Sequence, residues 1–173
     1  MSPDREQFDL KPLRESAIPG ALQKAERYRL LNEPWQAESI CQDILAVEPD
    51  HQQALIALLL ALTDQFGRGL EGRVRESQEI LSRIKGEYER AYYAGIIAER
   101  QGNFQLRKRV PGAGYGAYQL LRDAMRHYEQ AERLSPSGNE SAVLRWNTCA
   151  RRLMRNPSLQ PRDEEGFEPT IGE

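Results

Sequence analysis

Proline and glycine cut this chain into stretches, and inside each stretch the apolar residues return at three- and four-residue steps. That spacing lines up one face of a helix. Nowhere does the chain show the strict alternation of a half-buried strand. The spacing predicts a first helix from Ala17, with Leu22, Ala25 and Tyr28 on one side, ended by Asn32-Glu33-Pro34. Pro34 suits the first turn of a second helix, where the N–H it lacks has no helical partner. That helix carries Ala37, Cys41, Ile44 and Leu45 inward and stops before Pro49. Asp50 is placed to cap a third helix, with Gln53 as its reciprocal partner. From Ala54 to Phe66 that helix is apolar nearly all round, so it must be buried on most sides. A Gly67-Arg68-Gly69 stop precedes a fourth helix, Glu71 to Lys85, and Gly86 precedes a fifth, Glu87 to Gln101. Gly102-Asn103 reads as a break, and Gln105 to Gly116 as an irregular insertion. A sixth helix is expected from Ala117 to Leu134, and a seventh, capped by Asn139, up to Arg155. Residues 1–16 read as a flexible arm, and residues 156–173 as a disordered acidic tail.

Composition removes whole classes of function. The longest apolar run, Ala54 to Leu62, is far short of the ~20 residues of a membrane helix. The first ten residues lack the basic-then-apolar pattern of a secretory signal. A net charge of −2, 24 basic against 26 acidic residues, argues against a general nucleic-acid binder. Cys41 and Cys149 are isolated thiols on apolar helix faces, with no zinc spacing, which fits a reducing, cytoplasmic compartment. His51 and His127 stand near no Cys or carboxylate at ligand spacing. The carboxylates read as solvated i, i+4 partners of arginine. No catalytic set, cofactor site or metal site is expected.

Internal repetition then narrows the fold. In the first two helices Ala25, Tyr28, Ala37, Cys41, Ile44 and Pro49 set a spacing that Ala124, Tyr128, Ala131 and Pro136 repeat in its last part. Gly95, Ala98, Gly102 and Phe104 fill its first part. In this pattern the chain resembles the tetratricopeptide repeat family. Small residues let paired helices approach, aromatics plug the gap to the next pair, and the proline starts the next turn. The resemblance covers Ile18 to Arg155. Leu59 departs from it by standing where a small residue is usual, and the third repeat is split by the insertion. It implies an all-α fold of antiparallel helix pairs, stacked as a short α-solenoid over residues 17–155, with the seventh helix as a C-terminal cap. A one-off helical bundle would also account for the apolar third helix.

The family's usual role implies a non-enzymatic adaptor or scaffold that holds a protein or peptide in a groove lined by the first helix of each pair. Carried over by position, the groove presents Leu22, Glu26 and Arg29, then Ile56, Leu60 and Asp64, then Tyr92, Ile96 and Arg100. Leu22 and Glu26 stand where a clamp for a chaperone's terminal carboxylate would place Lys and Asn, so that clamp is not expected. Ile56, Leu60 and Ile96 can equally be plain core. The contact residues expected are Tyr92, Ile96 and Arg100, with Arg107, Lys108, Arg109 and Tyr115 from the insertion. A second reading makes the insertion, with its cations and Gly112, Gly114 and Gly116, a phosphate- or nucleic-acid-binding loop. It lacks the dinucleotide and P-loop fingerprints. A third reading is an assembly chaperone, and a homodimer through exposed groove residues stays open. Arg145, Arg151, Arg152 and Arg155 balance the C-terminal end of a helix dipole. Trp35 and Trp146 read as packing anchors at the two ends.

Overall fold

The computed structural model describes residues 7–67 and 69–162. Arg68 of the expected stop, the first six residues of the arm, and residues 163–173 with all five acids of the tail lie outside them. The described chain is all α. A single 3-10 turn over Glu15–Ala17 leads into α1 (Ile18–Leu30), α2 (Pro34–Val47), α3 (Gln52–Asp64), α4 (Leu70–Arg83), α5 (Glu87–Arg107), α6 (Ala113–Leu134) and α7 (Ser141–Arg155). Two compact units divide between Lys85 and Gly86.

In the first unit each helix packs on the next in the chain, and α1 also reaches α3, the sequential packing of a solenoid. Short connections make the neighbours antiparallel. Because α3 has helices on several sides, Ala54, Leu55, Ala57, Leu58, Leu59, Ala61 and Leu62 are all buried, and its all-round apolar pattern follows. Ala25, Ala37, Cys41 and Ile44 complete this core. The small residues sit where helices meet, as close approach requires. The cap of α3 falls one residue later than expected. His51, not Asp50, is the N-cap, and its Nδ1 accepts from the Ala54 N–H at 3.2 Å. At the far end of α3 the buried Gln65 donates to Glu38 of α2 at 2.6 Å. Glu38 also accepts from Arg73 of α4 at 2.8 Å, so a small polar network ties three helices together.

The second unit is the long hairpin α5–α6 with α7 packed on α6. Here the structure corrects the expected insertion. α5 runs straight through Gly102-Asn103 to Arg107, and α6 starts at Ala113, so only residues 108–112 are irregular. Gly102 is not a breaker. A Cβ there would lie 3.2 Å from Leu120 Cβ and 3.3 Å from the Ala117 carbonyl oxygen, so the glycine lets α6 come close. Gly114 and Gly116 lie inside α6. A Cβ on Gly114 would collide with the Ser158 carbonyl oxygen, so the chain beyond α7 returns to the first turn of α6. Leu159 is buried there, and the packed chain therefore extends past Arg155, into the first residues of the expected tail. The N-cap of α7 is likewise one residue later than expected, Glu140 rather than Asn139, which sits just before it and accepts at Oδ1 from the Ser141 N–H at 3.1 Å.

Candidate functional site

The most constrained chemistry lies inside the second unit. Gly95 of α5 exists for the ring of Tyr128: a Cβ there would stand 2.5 Å from Tyr128 Cε1. The buried Tyr128 donates its O–H to Glu99 Oε2 at 2.6 Å. Arg145 of α7 donates to Glu99 Oε1 at 3.3 Å and bonds the Tyr92 phenol. Glu99 is only 5% exposed, so it is not a solvated partner on a helix surface. Its burial is compatible with charge because both oxygens are paired. Burial, then the adjacent carboxylate, pushes the Tyr128 hydroxyl well above the usual tyrosine range. Tyr92 stacks on Tyr88 with centroids 5.8 Å apart, and meets Tyr93 edge-on at 5.1 Å. Trp146 anchors α7 by donating from Nε1 to Glu129 at 2.9 Å. This network joins α5, α6 and α7 and offers no free base or nucleophile.

The sequence missed Glu99 for a physical reason. Its partner Arg145 is 46 residues away, so no i, i+4 rule connects them. A local signal existed: Gly95, Ala98 and Gly102 mark the inward stripe of α5, and Glu99 falls within it. A carboxylate on an inward stripe must have a buried partner.

The expected contact residues separate into two groups. Ile96 is 1% exposed and belongs to the core, so it offers nothing to a partner. Tyr92 is half-buried in the aromatic cluster, and Arg100 is half-buried with interactions of its own. Arg107, Lys108 and Arg109 are all exposed at the tip of the hairpin, and Tyr115 is exposed in the first turn of α6. Lys108 stands over the Phe104 ring, 5.1 Å from its centroid. Arg109 takes the left-handed conformation at φ 49°, followed by Gly112 at φ 79°.

The tip is not a glycine cradle. The N–H groups of Ala113, Tyr115 and Gly116 already bond the carbonyls of Val110 and Gly112 at 3.1–3.4 Å. The chemistry it offers is in its side chains. In the first unit, Leu22 is core rather than groove, Ile56 and Leu60 are half-buried, and Arg29 pairs with Asp64 at 2.8 Å. Trp35 is 47% exposed, not the packing anchor expected.

Both cysteines are buried, and burial pushes each thiol up to about 12, which keeps them protonated. Burial, with Arg126 nearby, lowers the pKa of His127. Among the described residues no group of three His, Cys, Asp or Glu side chains could hold a metal ion, and no helix is long and apolar enough to cross a membrane. Comparison of this chain with family models, with curated proteins and with solved structures finds no match.

Proposed function

We propose that this chain is a non-enzymatic, tetratricopeptide-like adaptor of the cytoplasm that holds a partner protein. The observation that carries this reading is the tip of the α5–α6 hairpin. Three consecutive exposed cations, Arg107 at the end of α5 with Lys108 and Arg109 in the turn that follows, and the exposed Tyr115 of α6 stand at the end of two helices locked by glycine-mediated packing. Cations beside an aromatic are the composition of a binding hot spot. Tyr92 and Arg100 share a side of α5 with Arg107 at helical spacing, both half-buried.

The test is capture of partners from the native host's lysate by wild type and by Arg107→Ala/Lys108→Ala/Arg109→Ala, at low and moderate salt. A discrete protein that survives moderate salt and is lost with the triple variant supports the reading. Retention of the same protein by the triple variant overturns the assignment to the tip. Capture of nucleic acid that disappears as salt rises moves the function to phosphate binding, since counterion release makes such binding steeply salt-dependent.

A further inference from the structure

The helix dipole favours cations at the end of α7, and three stand close together there. Arg151, Arg152 and Arg155 lie within the last five residues of the helix, and together with Thr148 and Asn156 they line a hollow of about 420 Å³. No carboxylate lines it. Arg152 is held by a bond to Asn103 of α5, one helical turn before Arg107, which brings a further exposed cation to the same end of the unit. Among the described residues Arg151 and Arg155 pair with no acid, although like charges at i, i+4 repel. The same stripe continues back through Thr148 to Leu144, which is 66% exposed. Met154, 77% exposed, flanks it.

We infer that the outer face of α7 is a docking site for an acidic peptide segment: an apolar side chain on Leu144 and carboxylates on Arg151, Arg152 and Arg155. From Leu144 to Arg155 the stripe is about 16 Å long at the helical rise, which matches about five extended residues. A short segment fits that length. A nucleic acid fits worse, because the chain's net charge of −2 repels a long polyanion and Leu144 has no counterpart on a sugar-phosphate backbone. The inference deepens the partner-holding reading and rests on it for the ligand being a polypeptide.

The test uses the purified full chain and a fluorescein-labelled synthetic peptide of about ten residues, one leucine followed by glutamates, read by anisotropy. Arg151→Glu/Arg155→Glu should weaken binding roughly tenfold or more, and Leu144→Ala about threefold, with far-UV circular dichroism unchanged. The charge-matched control Lys24→Glu/Arg27→Glu, at exposed positions of α1, should stay within about twofold of wild type. Equal binding by wild type and the α7 double variant overturns the inference. So does an equal loss in the α1 control, which would mean bulk charge alone, and so does tighter binding of a single-stranded oligonucleotide of the same charge. No lysate partner enters this titration, so its failure is distinct from failure of the hairpin-tip reading, which the triple alanine variant decides.

Discussion

Gly95 and Gly20 are both glycines inside helices, and physics gives them opposite roles. A Cβ at Gly20 meets nothing within 4 Å, whereas at Gly95 it meets the Tyr128 ring at 2.5 Å. Alanine is intrinsically the better helix former by about 1 kcal/mol. Gly20→Ala should therefore stabilise the protein by about 0.4–1 kcal/mol. Gly95→Ala should destabilise it by about 1–3 kcal/mol, since the ring is fully buried and cannot swing away. Urea unfolding of the two variants checks both signs, and stabilisation by Gly95→Ala would refute the close approach. Tyr128→Phe probes the same contact from the other side. It keeps the ring and removes one side-chain bond to Glu99, at a cost of about 1–3 kcal/mol because the carboxyl group stays buried. A neutral result in the same urea experiment would mean that water replaces the phenol.

At the scale of elements, the ends of α5 and α6 separate loop from helix. Hydrogen exchange should find the amides of residues 103–107 protected and those of Arg109, Val110 and Gly112 exchanging fast. Fast exchange from 103 onward would restore the longer insertion that the local sequence suggests. The existence of all seven helices was legible in the sequence, because 3.6-residue periodicity and Pro punctuation are local signals. The buried run of α3 and the inward Cys41 and Cys149 were legible for the same reason. Gly102, Gly114 and Gly116 were misread because a glycine that ends a helix and a glycine that admits a neighbouring helix look alike along the chain. Only the partner atom, Leu120 or the Ser158 carbonyl, tells them apart. The candidate surface was partly legible in the same way. Exposed cations at the hairpin tip announce themselves by composition. The core position of Ile96 and the Glu99–Arg145 pair depend on which helix lies opposite.

For the whole molecule, both units carry the same titration. The first unit buries Cys41 and the second Cys149, and burial is the leading cause that pushes each thiol from 9.0 up to about 12. A group whose folded pKa is raised keeps its proton in the native state while the unfolded chain gives its proton up. Above the unfolded pKa the unfolded state then binds fewer protons, so stability falls as pH rises. The stabilisation is complete below about pH 9, and each thiol then removes up to about 1.4 kcal/mol per pH unit until its folded value is reached. Tyr128, raised by burial and by Glu99, adds a third contribution in the same direction above the ordinary tyrosine range. Urea unfolding from pH 8 to pH 11 should therefore show a steepening loss of stability. In Cys41→Ala/Cys149→Ala the slope should flatten even though the cavities lower the absolute value. The same protonated thiols should react with a disulfide reagent at pH 8 on the order of a thousand times more slowly than a free cysteine, and at once after unfolding. A pH-independent unfolding free energy, together with fast native labelling, would mean that both helix faces open to water far more often than their packing implies.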